Sequence, residues 1–215
     1  MTSLVQFLIS LDRSVFQGIN SLAGKFFLID WLARVGADDH IIPIVLTLLV
    51  LFLVLLARNH RQREAAYTCV LCALLAVILS MAILFALNAA FFRPRPFTTQ
   101  PAILLLYHNT DSAFPSNAAT LAFVLAFVVV LYNRKAGALM LSLAACLGLS
   151  RIIVGVHYPL DIIGGALLGL SSALLARAAE PLYRPLARGL NSATDRLLAS
   201  WRRPGAIEAR RGGGG

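Results

Sequence analysis

Charged side chains are scarce in this sequence. They make up 13% of its 215 residues, while hydrophobic residues make up 59% and the mean hydropathy is +0.78. A soluble domain carries roughly twice that share of charge, about a quarter of its residues. So small a polar complement excludes an ordinary soluble domain and indicates an integral membrane protein.

Lysine and acidic residues are rare as well. The chain has two lysines, 17 arginines and 10 acidic residues, which leave a formal net charge of +9. A basic balance can indicate nucleic-acid binding, but these arginines stand between apolar runs and near the C-terminus. That distribution fits loops facing anionic lipid headgroups better. We therefore expect membrane lipids as partners and no nucleic acid.

Cysteine is equally sparse. Cys69, Cys72 and Cys146 all lie inside apolar runs. The Cys69–Cys72 spacing can indicate redox or metal chemistry, but no second pair and no histidine cluster accompanies it. We expect these residues to serve as small apolar packing groups.

Long apolar runs are abundant, and a spanning helix needs about 20 apolar residues. Five runs approach that length, and a sixth, 26–35, is short and interrupted by Asp30, so that it is either a further span or an interfacial helix. The sequence therefore predicts an all-α, polytopic transmembrane helical bundle with five to six spans. The five main runs are 41–57, 66–92, 118–132, 136–150 and 162–176.

Basic residues are concentrated in every second connection between these runs: Arg58, Arg61 and Arg63 in one, Arg134 and Lys135 in another, and a series of arginines after residue 176. By the positive-inside rule, the connections at 58–64 and 133–135 and the residues after 176 are cytoplasmic, and 38–40, 93–116 and 151–160 face outward. We divide the chain into an N-terminal interfacial or short spanning segment (1–40), a transmembrane catalytic bundle (41–178) and a basic cytoplasmic tail (179–215).

The last run contains a small-residue motif. Gly165 and Gly169 give a G-x-x-x-G spacing, with Gly164 beside them. Such a stripe predicts either a homodimer face or close packing against a neighbouring helix of the same bundle.

The outward segment 151–161 combines Arg151, His157 and Asp161. Charged groups at the end of a membrane helix are costly, which favours a function for them over a structural role. Arg151 offers a planar fork of donors to phosphate oxygens. Asp161, four residues after His157, can accept the proton of one imidazole nitrogen and leave the other nitrogen free to attack.

The other long outward loop supplies further phosphate-binding groups. Arg93 and Arg95 alternate with prolines, and Ser116 and Asn117 stand just before an apolar run. The first N–H groups of that run favour an anion. Arginine–proline repeats can also be simple interfacial anchors. Because a separate charge argument places both loops on one face, we favour an oxyanion site.

A metal site is the remaining alternative on this face. His108, Asp111, His157 and Asp161 could be ligands, but His157 and Asp161 are the only pair with a zinc-type spacing on one helix. We therefore expect no metal and no cofactor.

These motifs resemble the type-2 phosphatidic acid phosphatase family, in its integral-membrane branch, over roughly residues 66–176. The family signature is Lys-x6-Arg-Pro, Pro-Ser-x-His and Ser-Arg-x5-His-x3-Asp. Ser150, Arg151, His157 and Asp161 match the third part completely. The sequence around Arg93–Pro96 and Phe114–Asn117 looks most like that of the bacterial undecaprenyl-diphosphatase branch.

Two positions depart from that signature. Asn88 stands where the first motif has lysine, and Ala118 stands where the second motif has histidine. In the family that histidine donates a proton to the leaving group, which alanine cannot do. Ala118 marks either a deliberately inactivated variant or a natural homologue without the acid.

The resemblance implies a metal-independent lipid phosphatase in a bacterial inner membrane, with its site facing the periplasm. It would remove the terminal phosphate of a polyprenyl diphosphate, the carrier recycled in cell-wall synthesis, through a phosphohistidine. The alternatives are a phosphatase for phosphatidylglycerol phosphate, phosphatidate or lipid A, and a protein that binds or transports lipid phosphates without cleaving them. His157 would be the nucleophile and Asp161 its partner, with Ala118 at the position of the acid. The phosphate-binding residues would be Arg93, Arg95, Ser116, Asn117 and Arg151.

Overall fold

The computed structural model describes residues 2–107 and 110–201, which form nine helices and no strand. This confirms the predicted all-α class. The helices are α1 (Thr2–Asn20), α2 (Phe27–Gly36), α3 (Ile41–Leu55), α4 (His60–Ala90), α5 (Pro96–Thr99), α6 (Asn117–Tyr132), α7 (Arg134–Ile153), α8 (Pro159–Ala178) and α9 (Glu180–Trp201).

Local sequence explains where the long helices begin. The side chain of Asn59 accepts a hydrogen bond from the Gln62 N–H at the start of α4, and Asn133 caps α7 in the same way. Pro159 occupies the first turn of α8, where its missing N–H costs nothing. The Asn59 cap lets α4 begin at His60, ahead of the apolar run that starts at residue 66.

Three helices, α4, α7 and α8, are long and apolar enough to cross a membrane. The pair α2 and α3 passes the same test together, but it is bent by 54° at the break between them. The predicted spans at 41–57 and 118–132 correspond to α3 and α6, which have only 15 and 16 residues. The molecule is a multi-pass membrane protein, and the count of five to six spans stays a prediction.

Helix α6 lies at the centre of the bundle, packed against α8, α7, α4 and α3. Gly165 and Gly169 permit the close approach of α8, because a Cβ at Gly169 would lie 2.9 Å from the Val124 nitrogen and one at Gly165 3.0 Å from Thr120 Oγ1. The glycine stripe is thus buried inside the chain and gives no argument for a homodimer.

The two flanking segments pack onto the bundle. Helix α1 contacts α7 and α8, and α2 contacts α7. The segment predicted as a basic tail contains α9, which lies along α4 and pairs Arg63 with Asp195. The last residues of that segment, including Arg202 and Arg203, lie outside the described part of the chain.

Candidate active site

A polar cavity of about 300 Å³ opens at one end of the bundle. The C-terminal ends of α4 and α7 and the N-terminal ends of α6 and α8 meet there. A larger groove of about 610 Å³ along α3 and α4 is almost wholly apolar, so the smaller cavity is the candidate site. Its lining consists of Asp39, Met81, Arg95, Asp111, Asn117, Ala118, Leu121, Arg151 and His157.

His157 lies in the turn between α7 and α8, and only 1% of it is exposed. Its Nδ1 is 2.9 Å from the carbonyl oxygen of Ala113. Since a carbonyl can only accept, Nδ1 carries the proton and Nε2 keeps its lone pair. Nε2 lies 3.2 Å from Arg151 Nη2 and 3.4 Å from Arg95 Nη1. The unprotonated nitrogen therefore faces two guanidinium groups in the cavity.

The same surroundings determine the protonation of His157. Burial, followed by the positive charges of Arg151 and Arg95, holds the pKa of this imidazole well below its ordinary value of 6.5. A neutral imidazole with a free Nε2 is the form that can attack phosphorus.

Asp161 does not make the expected hydrogen bond to the histidine. Its Oδ2 is 3.5 Å from His157 Nδ1 and instead accepts from the Tyr158 N–H at 2.8 Å. Its Oδ1 accepts from Arg93 Nη1 at 2.5 Å. Because Ala113 offers a closer carbonyl, that backbone oxygen orients the imidazole, and Asp161 adds negative charge just beyond hydrogen-bonding distance.

Arg95 is buried and firmly held. It donates from Nε to the Asp111 carbonyl at 3.2 Å, from Nη2 to Asp111 Oδ1 at 2.7 Å and from Nη1 to the Val156 carbonyl at 3.1 Å. The guanidinium group therefore has one terminal nitrogen towards His157 and the other on a carboxylate.

Arg151 repeats this arrangement from the other side. Its Nη1 donates to the Ala37 carbonyl at 2.9 Å and to Asp39 Oδ1 at 2.5 Å. Its buried Nε has no hydrogen-bond partner among the described residues. Two preorganised guanidinium groups beside Nε2 can hold an oxyanion in line for attack.

The start of α6 forms another wall. Asn117 and Ala118 line the cavity, and the first turn of α6 offers free N–H groups to an anion. Ser116 precedes the helix, and its Oγ is fully buried without a hydrogen-bond partner within residues 2–107 and 110–201. Ser116, predicted to bind phosphate, is not among the residues that line the cavity, whereas the first-turn N–H groups of α6 can act as donors to an oxyanion held by Arg95 and Arg151.

Arg93 does not line the cavity, contrary to expectation. Its side chain lies behind His157, where it bridges Asp12 and Asp161 at 2.5 Å each and stacks over the ring of Tyr158. Two carboxylates and an aromatic face occupy this guanidinium group, which leaves Arg95 as the phosphate-facing member of the arginine–proline pair.

Sequence reasoning missed Asp39 and the Ala113 carbonyl as contributors to the site, and it considered Asp111 only as a metal ligand and not as the partner of Arg95. Asp39 and Asp111 carry signals, because both are acidic residues in segments predicted to face outward, yet neither belongs to a recognisable motif. The Ala113 carbonyl gives no sequence signal, because every residue has a backbone carbonyl group. His108, considered above as a ligand, lies outside the described residues, and within the described part no group of three or more His, Cys, Asp or Glu could hold a metal ion.

Comparison with known proteins adds to this geometry. Residues 69–182, more than half of the chain, match the PAP2 superfamily. The chain is 34% identical over 165 residues to the bacitracin transport permease protein BcrC of Bacillus licheniformis, covering 76% of this chain and 78% of that protein. It is 27% identical over 175 residues to the undecaprenyl-diphosphatase BcrC of Bacillus subtilis, covering 81% and 87%.

A solved structure gives the same picture. The crystal structure of Aquifex aeolicus LpxE is similar with a TM-score of 0.60 and 26% sequence identity, over 77% of this chain and 93% of that chain. The region that matches the PAP2 superfamily, residues 69–182, includes the ends of α4, α6, α7 and α8 that form the cavity. Helices α1, α2 and α3 precede that region.

Proposed function

Because this chain belongs to the PAP2 superfamily and is a membrane lipid phosphatase, we propose that it removes the terminal phosphate of a polyprenyl diphosphate, undecaprenyl diphosphate, through a phosphohistidine at His157. The observation that carries the proposal is the position of Nε2, which faces Arg95 and Arg151 in the cavity while Nδ1 is held by a carbonyl. The naming of a similar Bacillus subtilis protein as an undecaprenyl-diphosphatase supports this lipid.

The first chemical step transfers the phosphoryl group to the protein. The Nε2 lone pair forms a bond to the terminal phosphorus while the bond from that phosphorus to the bridging oxygen breaks. The bonding electrons leave with the lipid monophosphate. Arg95 and Arg151 neutralise the charge on the phosphoryl oxygens, and the N–H groups in the first turn of α6 are further donors. The Ala113 carbonyl and Asp161 stabilise the positive imidazole ring that results.

The second step releases phosphate. Water attacks phosphorus, the P–N bond breaks, and its electron pair returns to Nε2. The water proton leaves with phosphate or to solvent, and His157 is again neutral. Neither step of this proposed reaction uses a metal ion.

Ala118 determines which leaving group the site handles well. It lines the cavity at the position where the family motif has the acid histidine, and a general acid contributes ~10²–10⁴ in rate. A lipid alcohol needs that proton in order to leave, because an alkoxide is a strong base. A lipid monophosphate is a much weaker base than an alkoxide and can leave without the proton. We therefore propose that the alanine weakens the enzyme, and that it weakens diphosphate cleavage least. Phosphatidylglycerol phosphate, phosphatidate and lipid A phosphates, whose leaving groups are alcohols, are the less favoured substrates.

The location follows from the charge distribution. The cavity lies at the end of the bundle opposite Arg58, Arg63 and Arg134, which the positive-inside rule assigns to the cytoplasm. We propose that the protein resides in a bacterial inner membrane with its active site facing the periplasm, where it recycles the lipid carrier of cell-wall synthesis.

The test compares the parent protein with Ala118→His on two lipids that share a tail, a polyprenyl diphosphate and a polyprenyl monophosphate. We expect the monophosphate to gain towards the upper end of ~10²–10⁴ and the diphosphate to gain less, since only its leaving group departs readily without a proton. A panel of glycerolipid phosphates then ranks the lipid classes.

His157→Ala in the Ala118→His background is the control. It should abolish turnover of both lipids, because no phosphohistidine can form. Activity that survives this change would reassign the nucleophile. Absence of any gain on every phosphorylated lipid would refute the acid assignment and favour a protein that binds or transports lipid phosphates without cleaving them.

A further inference from the structure

Helix α1 precedes the region that matches the superfamily, yet it reaches the back of the active site. From Leu4 onward, the buried side chains of α1 are Asp12, Phe16 and Asn20, spaced four residues apart on one face. The opposite face is exposed and carries large apolar side chains, Leu4, Phe7 and Leu11, interspersed with small residues, as in a helix that lies at a membrane surface. The chain thus directs one buried carboxylate from a lipid-facing helix into the protein.

Both carboxylate oxygens of Asp12 are used. Oδ2 pairs with Arg93 Nη2 at 2.5 Å, and Oδ1 accepts from the Leu160 N–H at 2.9 Å. Leu160 is the second residue of α8, where a free N–H and the helix dipole favour a negative group. The Asp12 side chain has 0% exposure, and an ionised carboxylate so buried persists only with partners of this kind.

Arg93 connects Asp12 to two residues close to His157, namely Asp161 and Tyr158. It binds Asp161 Oδ1, and its guanidinium carbon lies 4.3 Å from the centre of the Tyr158 ring. Asp161 in turn accepts from the Tyr158 N–H, and Phe16 of α1 packs against the same ring. A fourth contact joins the Tyr158 hydroxyl to Thr99 Oγ1 at 2.8 Å. Of the four contacts that hold the residue after His157, those with Arg93 and Phe16 depend on α1.

We propose that Asp12 is a positioning residue for the phosphoryl-transfer step, acting through Arg93 and Asp161 on the orientation and charge of His157. The inference rests on the proposed phosphohistidine chemistry. Two carboxylates against one guanidinium group leave a net negative charge behind the imidazole. That charge matters most when Nε2 bonds to phosphorus and the ring becomes positive. Asp12 does not line the cavity, so ground-state binding of phosphate does not depend on it.

The test therefore compares two anions on the purified full chain in detergent. Orthophosphate tests anion binding by the guanidinium groups of Arg95 and Arg151. Orthovanadate resembles the five-coordinate transition state, and its binding also requires that Nε2 of His157 is aligned with the metal-oxo centre of vanadate. Binding of both is measured by calorimetry, and neither measurement depends on the lipid or on Ala118. We expect Asp12→Asn to weaken vanadate about tenfold to a hundredfold, as small misplacements of reacting groups do, and to leave orthophosphate unchanged.

Three further variants provide controls. Leu11→Ala changes an exposed neighbour on α1 and should alter neither affinity. Asp12→Glu keeps the charge and should recover part of the vanadate affinity. Arg93→Met should weaken vanadate binding as Asp12→Asn does. The double variant should bind vanadate no more weakly than Arg93→Met alone, because Asp12 is proposed to act through Arg93.

Each other outcome overturns a distinct claim. Unchanged vanadate binding by Asp12→Asn would mean that Asp12 positions nothing. Equal weakening of both anions would mean that it supports the fold only. Multiplying effects of Asp12→Asn and Arg93→Met would exclude Arg93 as the intermediary. If the parent protein bound neither anion, the phosphate site would itself be refuted, and the positioning role with it.

Discussion

His157 is held between one acceptor and two cations, and this arrangement fixes its chemistry. The Ala113 carbonyl binds the proton on Nδ1, while Arg95 and Arg151 face Nε2. A second proton on the ring would bring three positive charges together inside a buried site. Burial and the two guanidinium groups both disfavour the imidazolium form, so its pKa falls. His157 consequently stays neutral at pH values where a free histidine is largely protonated.

This protonation state can be measured directly. Diethyl pyrocarbonate modifies only neutral imidazole, and mass spectrometry locates the modified residue. We expect the labelling rate of His157 to fall to half only at a pH below the ordinary histidine pKa of 6.5. Arg95→Met removes one of the cations and should move that midpoint upward. A midpoint above 6.5 in the parent, or a downward shift in the variant, would contradict this account.

The residues of the site were predictable from sequence to different degrees. Arg151 and His157 follow from a spacing that leaves little choice, and the structure places both in the cavity. Arg93 and Arg95 are equivalent by sequence, since each precedes a proline, and only the course of the loop turns one towards the cavity and the other towards Asp12. The Ala113 carbonyl, which orients the His157 ring, cannot be predicted from side-chain patterns.

At the scale of elements, the active site depends on how closely α6 and α8 approach each other. Thr120 on α6 and Ser116 just before it lie against Gly165 on α8, and Val124 lies against Gly169 one turn further along. The Ser116 N–H also donates to the Asp161 carbonyl at 3.2 Å. The glycine stripe therefore sets the distance between the wall that carries Ala118 and the turn that carries His157.

Gly169→Ala tests this packing. Its Cβ would lie 2.9 Å from a backbone nitrogen of α6, which cannot move aside as a flexible side chain would. We expect a loss of stability of about 1–3 kcal/mol, the usual cost of overpacking, seen as a lower midpoint of thermal unfolding in detergent. Gly189→Ala on α9, where nothing lies within 4 Å, is the matched control and should be neutral or slightly stabilising. Equal midpoints for both variants would contradict the packing role.

Element boundaries were predicted best where hydrophobicity and caps coincide. The run at 118–132 corresponds closely to α6 (Asn117–Tyr132), whereas α4 begins six residues before its apolar run because Asn59 caps it. Helix α9 was not foreseen, because its mixed composition resembles a solvated tail. It is stabilised by contacts distant in sequence, such as the hydrogen bond between Tyr67 and Thr194, which no local pattern reveals.

At the scale of the whole molecule, the polar groups are divided between the two ends of the bundle. One end carries the cavity with its ion pairs between arginine and aspartate. The other end carries α9 with ion pairs of its own, such as Arg63 with Asp195 and Arg188 with Glu64. It also carries Arg58, Arg134 and Lys135, for which the described residues provide no ion pair. Only one orientation puts the unmatched cations at the cytoplasmic headgroups, where anionic lipids stabilise each by about 1 kcal/mol.

Cysteine labelling in intact cells tests that orientation. Thr110 is exposed near the cavity, and Arg134 is exposed at the opposite end. We expect a membrane-impermeant maleimide to label Thr110→Cys and to leave Arg134→Cys unlabelled until the membrane is permeabilised. Both changes are made in a Cys146→Ser background, because Cys146 is the exposed native cysteine, whereas Cys69 and Cys72 are buried.

The Cys146→Ser protein without an added cysteine is the control and should remain unlabelled throughout. The reverse pattern, with Arg134→Cys labelled from outside, would place His157 in the cytoplasm. The site could then act only on lipid phosphates of the inner leaflet, and recycling of a carrier at the outer face would be excluded. The orientation measurement therefore constrains the substrate as well as the topology, because charge alone keeps a lipid diphosphate from crossing the bilayer to reach a site on the wrong side.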